Sequence, residues 1–208
     1  MYDLVPPPAL VNGTTGWIGY TSGTAFTMGW TPVLGDVLIM VSYTNQMNVT
    51  NISQTGVTWG AVANAYLSSN AWSMMDMWLG VVGTSPSTSI TITCNGNNVQ
   101  DYALAEFSSP SGIVVAKSSG VAGSGSISES ITLMGQGGIA IAATATRGSG
   151  LVGPSESGWT DLISAGTTPN GVGQGTIAYQ LQPTKFTNLS ASFTGANNQE
   201  SEILAVIA

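Results

Sequence analysis

Apolar and polar residues alternate in short segments along most of the chain, with glycine, proline, serine and asparagine between the segments. A period of two is typical of β-strands that bury one face, and no stretch carries the apolar stripe of an amphipathic helix. The pattern therefore predicts an all-β protein. One set of predicted strands covers residues 10–18, 25–30, 36–43, 57–67, 72–82, 89–94 and 102–107, and a second set covers 112–116, 126–134, 139–146, 159–164, 176–182, 189–193 and 203–207.

The two sets of predicted strands match in order and spacing, with a period of roughly 100 residues, which indicates an internal duplication. Trp59 and Trp159 fall at corresponding positions near the start of matching strands. We interpret the chain as two similar halves, about 9–108 and 112–208. The aligned segments are 35–41 with 137–143, 56–59 with 157–160, 90–93 with 189–192, and 103–107 with 203–207.

The join between the halves is short, and each half ends on an apolar strand that separation would expose. This favours a single antiparallel β-sandwich with interleaved strands over two small sandwiches in series. Residues 74–82 are apolar on both faces apart from Asp76, which predicts a central strand covered on both sides. The glycine-rich run 119–125 is predicted to form a turn.

Charge excludes several classes of partner. Charged residues make up 6% of the chain, the formal net charge is -7, and the basic residues are Lys117, Arg147 and Lys185. No positive surface can then neutralise nucleic-acid phosphates or anionic lipid headgroups. No apolar run approaches the roughly 18 residues of a spanning helix. We expect neither nucleic-acid binding nor membrane insertion.

The residue inventory also argues against an enzyme. The chain has no histidine and one cysteine, Cys94, which excludes a Ser-His-Asp triad and a cysteine-based metal cluster. Cys94 ends an alternating apolar segment, where a small strand residue is expected. We predict no catalytic residue, no metal site and no cofactor.

The remaining candidates for catalysis are acids. Glu156 and Asp161 flank Trp159, while Glu200 and Glu202 begin the last strand region. A glycosidase needs two carboxylates facing each other across a sugar-binding cleft. Acids in turns are usually solvated, so we expect these residues to be structural.

Two binding sites remain as weaker alternatives. Asp101 and the turn 95–98 could offer oxygens to calcium, but their spacing matches no calcium loop, and a structural turn is favoured. Trp17, Tyr20 and Trp30 could stack on carbohydrate, although strand aromatics more often fill a core or an interface.

Four asparagines, Asn12, Asn48, Asn51 and Asn188, stand in glycosylation sequons. Several are expected by chance in a chain so rich in asparagine, serine and threonine. They become candidate glycosylation sites if the protein is secreted, as in a cell-surface filament.

The N-terminal segment is predicted to be an extended arm, residues 1–8. It lacks the basic and apolar regions of a secretory signal. Pro6, Pro7 and Pro8 favour an extended conformation, and the apolar Leu4 and Val5 precede them. We predict that this arm docks on an adjacent copy; the alternative is a frayed tail.

Five short segments follow one another along the chain: Gly35-Asp36-Val37-Leu38, Val57-Thr58-Trp59, Trp78-Leu79-Gly80-Val81-Val82, Ile90-Thr91-Ile92-Thr93 and Leu104-Ala105-Glu106-Phe107. Their order resembles a family of phage structural proteins. The resemblance implies a jelly-roll-like sandwich on particle surfaces or tails and transfers no active residue. Our leading hypothesis is a self-assembling structural protein at the virion surface, a capsid decoration or tail component, which binds its own copies or other structural subunits. The alternatives are a subunit of an extracellular cell-surface filament and a carbohydrate-binding module.

Overall fold

The computed structural model describes the chain in twelve segments: residues 8–18, 22–44, 48–66, 74–96, 100–108, 115–122, 126–132, 138–146, 153–167, 174–181, 188–194 and 200–207. These segments form an all-β structure without helices, so they hold no helix that could cross a membrane. The strands are β1 Leu10–Ile18, β2 Gly23–Thr27, β3 Val37–Thr44, β4 Val49–Ser53, β5 Val57–Tyr66, β6 Met74–Val82, β7 Ser89–Cys94, β8 Gln100–Phe107, β9 Val115–Ala122, β10 Ser126–Thr132, β11 Ile139–Thr146, β12 Thr160–Thr167, β13 Gln174–Leu181, β14 Asn188–Thr194 and β15 Glu200–Ile207.

The strands form four antiparallel sheets. Sheet A has the order β1-β8-β3-β6-β5, and sheet B the order β2-β7-β4. Sheet C has the order β12-β13-β11-β15-β9, and sheet D pairs β10 with β14. Every sheet therefore takes its strands from one side of the join alone, and the prediction of interleaved strands is wrong. The described strands find their backbone partners within their own part of the chain, which leaves only apolar faces to join the two parts.

Alternation along the central strands puts an apolar core on both sides of each large sheet. In β3, Val37 and Ile39 face a core shared with sheet C, while Leu38 and Met40 face a core shared with sheet B. In β11, Ile139 and Ile141 belong to the shared A/C core, while Ala140 and Ala142 belong to a core shared with sheet D. The layers thus follow the order B, A, C, D, with an A/B core, an A/C core and a C/D core. The A/C core joins the two parts of the chain.

Strand β6 is a central strand with both faces covered, as its sequence predicts. It lies between β3 and β5 in sheet A, and residues 75–80 are all buried, including Asp76. Met77 faces the A/C core and Trp78 faces the A/B core.

Two strand predictions need correction. Strand β4 was not predicted, because a register shift between Val49 and Asn51 interrupts the alternation that identifies a strand. The glycine-rich run predicted as a turn begins inside β9, which pairs with β15 as far as Ala122. Glycine is tolerated here because β9 ends the described order of sheet C.

Candidate assembly surface

The acids considered for catalysis have structural surroundings. The carboxylate of Glu156 accepts hydrogen bonds from the backbone N–H of Ser192 at 2.9 Å and from its hydroxyl at 2.6 Å. Asp161 is exposed on β12. Glu156 therefore links the segment before β12 to β14 of sheet D through these hydrogen bonds.

Glu202 lies in a different setting from the turn acids. It is fully buried, and burial, with Glu129 and Glu156 nearby, raises the pKa of its carboxyl to about 9. The side chain of Glu200 lies outside the described residues. Glu202 is fully buried, so in this structure its carboxyl does not face a cleft that a sugar could enter, as a glycosidase pair requires.

In the turn considered for calcium, the side-chain oxygen of Asn95 is occupied by a hydrogen bond within the fold. Asn95 Oδ1 accepts a hydrogen bond from the backbone N–H of Asn48 at 2.8 Å. Residues 97–99 and the Asp101 side chain lie outside the described structure. Within the described part of the chain, no group of three His, Cys, Asp or Glu side chains could hold a metal ion.

The aromatic platform for carbohydrate is not assembled by the described residues. Trp30 packs against the A/B core, and its indole nitrogen is buried. The side chain of Trp17 and all of Tyr20 lie outside the described structure. Part of the Trp30 side chain is therefore covered by the A/B core, and no second described side chain of the predicted platform lies beside it.

The four sequons differ in accessibility. Asn12 donates from its side-chain amide to Glu106 at 3.1 Å, so we do not retain it as a glycosylation site. Asn51 is exposed on β4, whereas Asn48 is half-buried. The side chain of Asn188 lies outside the described residues. Asn51 is thus the accessible candidate among the described side chains.

The thiol of Cys94 is buried in the A/B core. Burial, with a smaller contribution from the charge of Asp76, raises the pKa of this thiol to about 11. A thiol that stays protonated at neutral pH is a poor nucleophile. The environment of Cys94 matches the predicted role of a small strand residue.

The exposed large apolar side chains of the described structure gather at one end of sheet A. They are Val11, 42% exposed, Val33, 52%, Leu34, 64%, and Val81, 37%. We call these four residues the apolar end. Val33 and Leu34 lie in the connection just before β3, Val81 is the last residue but one of β6, and Val11 is the second residue of β1.

Backbone pairing brings the connection and β6 together. Val81 lies directly opposite Val37, the first residue of β3. The N–H of Gly35 donates to the carbonyl of Val82 at 3.0 Å, and the N–H of Val82 donates to the carbonyl of Asp36 at 3.0 Å. The exposed connection is therefore held against the end of β6.

Glu106 links the same connection to β1. This fully buried residue accepts a 2.6 Å hydrogen bond from the backbone N–H of Val33 and a 3.1 Å hydrogen bond from the Asn12 amide. Val11 lies at the register shift between Leu10 and Asn12. The sequence alone did not reveal this contact, because the acid stands in an apolar strand and its partners are distant along the chain.

The predicted N-terminal arm begins at this end of sheet A. Three hydrogen bonds join Ala9 and Ser108: Ala9 N–H donates to the Ser108 hydroxyl at 2.8 Å, and the Ala9 carbonyl accepts from Ser108 N–H at 2.9 Å and from the Ser108 hydroxyl at 3.4 Å. Pro8 is buried, whereas Leu4, Val5, Pro6 and Pro7 lie outside the described residues. Pro8 therefore belongs to the fold, and any free arm ends before it.

No protein-family model matches this chain, and no curated protein has a significantly similar sequence. Function is therefore inferred from the fold and from the apolar end.

Proposed function

We propose that this chain is a non-enzymatic, self-assembling structural protein of a virus particle, placed at the virion surface as a capsid decoration or tail component. The observation that carries the proposal is a nested strand pairing. Strand β1 pairs with β8, β2 with β7 and β3 with β6, and a bridge between Gln54 and Val57 joins β4 to β5. A ribbon nested in this way rolls up into a jelly roll, an architecture used by viral capsid domains.

The second part of the chain supports an internal duplication. Strand β9 pairs with β15, β10 with β14 and β11 with β13, which repeats the nesting of β1 to β8. We infer two jelly rolls in tandem that pack through sheets A and C, instead of one sandwich that contains all the strands.

The registers of the two parts also correspond. Val37 faces Phe107 and Thr44 faces Gln100 in sheet A. In sheet C, Ile139 faces Ile207 and Thr146 faces Glu200, so the same eight-residue register recurs. Strand β5, next to β6, shifts register after Ala61, and strand β12, next to β13, shifts register at the corresponding position after Asp161 and again after Ile163. Matching bulges are hard to obtain without a common origin.

Fold alone does not determine function, so the residues of this chain must decide between the functions that jelly rolls serve. Jelly rolls also occur in lectins and cupins. A cupin-type metal centre relies on histidine, and this chain has none. Trp30, a member of the predicted carbohydrate platform, packs in the A/B core. An assembly role is left as the proposal with the best support.

We assign the apolar end as the contact with a second copy, and the arm of that copy as its occupant. The arm carries the apolar Leu4 and Val5 and leaves the fold beside Ala9, at the same end of sheet A. Every subunit carries a formal charge of -7, so copies repel one another at long range. A contact made through the apolar Leu4 and Val5 suits such a pair, because it gains stability from burial and needs no attraction between charges.

The proposal can be tested with two variants of the full chain. Removal of residues 1–7 deletes the arm, and Leu34→Ser combined with Val33→Ser makes the apolar end polar. Both variants should fold with unchanged thermal midpoints, because the altered residues are exposed or precede the described fold. Both should remain monomeric in sedimentation velocity and electron microscopy under conditions in which the unaltered protein forms ordered assemblies.

A matched control is Ala61→Ser, which replaces an exposed apolar residue on β5 and should leave assembly intact. Normal assembly without residues 1–7 would refute the arm contact. Assembly that needs the arm but tolerates the Val33 and Leu34 changes would place the arm on another surface.

A cell-surface filament is the second candidate, and the exposed sequon at Asn51 favours it. Mass spectrometry of the protein from its native source should find Asn51 unmodified in a virion protein and glycosylated in a secreted filament subunit. Electron microscopy of that source distinguishes particles from filaments directly. Binding of the monomer to a glycan array would support the carbohydrate-binding module instead.

A further inference from the structure

Glu202 on β15 is a fully buried acid whose two carboxyl oxygens have no hydrogen-bond partner. Its neighbours two and four residues further along, Leu204 and Val206, belong to the C/D core. Alternation along a strand places Glu202 on the same face. The carboxyl therefore lies between sheets C and D, a position in which an unpaired polar group normally has a specific role.

The residues directly opposite Glu202 carry no positive charge. Within sheet C, the residue opposite it on β11 is Thr144, and the residue opposite it on β9 is Gly120. From the side of sheet D, Glu129 on β10 and Glu156 before β12 act on it, and both are acidic. Ionisation of Glu202 would thus place a buried charge near two other acidic side chains.

Other charged groups lie further along the neighbouring strands. Asp161 on β12 is exposed and close to Gly153. The register of β9 places Lys117 opposite Ala205 instead of opposite Glu202. On β13, Thr176 is uncharged and its hydroxyl is also buried without a partner. The described elements thus supply no cation whose register sets it against Glu202.

We propose that Glu202 is a buried proton-binding site that controls the attachment of sheet D to sheet C: the protonated carboxyl permits close packing, and loss of the proton releases β10 and β14. No other reactant is needed, since the exchanged species is one proton, taken up from or lost to water.

Sheet D is the layer that can detach when Glu202 loses its proton. Its two strands pair with each other, and neither pairs with another described strand. The C/D core holds it on the fold, together with hydrogen bonds that link β14 to Ser155, Glu156 and Trp159 in the segment before β12. A charge inserted in the C/D core acts against the first of these attachments directly, because apolar surroundings strongly disfavour an unpaired ion.

Sheet A contains a row of paired residues that corresponds to the Glu202 row of sheet C, and its buried acid is paired differently. Ser42 on β3 lies between Asp76 and Tyr102, as Thr144 lies between Thr176 and Glu202. Asp76 is also buried, but it accepts a 2.9 Å hydrogen bond from the backbone N–H of Val49 on sheet B. The acid of the A/B core thus has a partner on the facing sheet, and Glu202 has none.

The direction of the pH effect follows from the position of the group. Burial is the largest cause that raises the pKa of Glu202 from 4.5 to about 9, and the charges of Glu129 and Glu156 add to it. The backbone of Glu129 opposes the rise without reaching hydrogen-bonding geometry. The folded state therefore holds a proton that the unfolded state loses, so stability is highest below about pH 4.5 and falls as pH rises towards 9.

The test compares the full chain with Glu202→Gln, which keeps the shape and removes the ionisation. In urea titrations between about pH 5 and pH 9, the unfolding constant should rise about tenfold per pH unit relative to Glu202→Gln. Hydrogen exchange should show β10 and β14 opening before β2 and β7 as pH increases. Carbon-13 NMR of the carboxyl groups should show one glutamate that titrates above pH 8 and is absent from the variant.

The control is Asp161→Asn, which changes an exposed acid beside the same sheet and should leave the pH profile unaltered. A second variant, Glu129→Gln, removes a neighbouring charge and should move the Glu202 titration to lower pH, which keeps the test valid if Glu202→Gln fails to fold. Parallel profiles for the unaltered protein and Glu202→Gln, or titration of every glutamate below pH 6, would overturn the proposal.

Discussion

The ring of Tyr102 on β8 lies over Gly16, the residue directly opposite it on β1. A Cβ atom at position 16 would come within 2.6 Å of the ring carbon Cζ and 2.8 Å of Cε1. The ring is also stacked on Phe26 of sheet B, with centroids 4.3 Å apart. The glycine thus makes room for an aromatic contact between sheets A and B.

Replacement of this glycine should therefore destabilise the fold. We expect Gly16→Ala to cost about 1–3 kcal/mol, because the tyrosine must leave its stacked position. The matched control is Gly60→Ala on β5, where a new Cβ meets nothing within 4 Å. Urea denaturation should find the control neutral or slightly stabilising. Equal effects for the two variants would contradict the contact.

A second prediction compares two glycines with positive φ, one of which would also suffer a steric clash if a Cβ were added. Gly56 has a φ of 72°, and a Cβ there would lie 2.7 Å from backbone atoms of Thr84, Ser85 and Pro86. Gly35 has a φ of 90° but open space around it. Gly35→Ala should cost about 1 kcal/mol from backbone strain alone. Gly56→Ala should cost clearly more in the same unfolding assay, and similar costs would show that the backbone near Pro86 yields.

The proposed duplication predicts equal roles for Trp59 and Trp159. Trp59 packs against the A/B core and Trp159 against the C/D core, each half-buried. Replacement of either residue by alanine should cost about 3 kcal/mol. Urea denaturation of both variants provides the measurement. A large loss for one and a negligible loss for the other would argue against equivalent positions.

Asp76 predicts a pH effect in the acidic range. Burial is the larger influence and raises the pKa of this carboxyl from 3.8 to about 6, partly opposed by the hydrogen bond from Val49 N–H. The folded state holds the proton more tightly, so this contribution to stability is complete below pH 3.8 and is lost as pH rises to about 6.

The measurement for this effect is the free energy of unfolding of Asp76→Asn and of the unaltered protein between about pH 3 and pH 7. The unaltered protein should lose about 3 kcal/mol relative to the variant across that range. A constant difference between the two proteins would show that Asp76 does not titrate there. Asp161→Asn again serves as the control for an exposed acid.

Part of the fold was predictable because the alternation of apolar and polar residues within a single strand identifies that strand. Strand β7 alternates strictly from Ser89 to Cys94, and its predicted bounds are those of the structure. The absence of alternation in β6 correctly predicted a strand covered on both faces. Strand β4 was missed because the shift between Val49 and Asn51 interrupts the periodicity on which such predictions depend.

The candidate site was less predictable than the fold. The apolar Val33 and Leu34 stand in a connection without periodicity, and the partner that holds Val33, Glu106, is 73 residues away. The arm residues could be selected from the sequence because three consecutive prolines restrict the backbone by themselves. The surface beside the start of the arm is set by the pairing of β1 with β8. The alternation of apolar and polar residues does not encode that pairing.

The sequence by itself determined the all-β class, the apolar character of the central strands and the lack of histidine-based chemistry, since these depend on residue type and local period alone. Only the tertiary structure decided that sheets A and C share a core, and that Asp76 finds a partner across its core while Glu202 finds none. Both outcomes depend on which distant strands meet. The physical reason is that hydrogen bonding and burial are satisfied across layers, between residues whose separation along the chain carries no periodic signal.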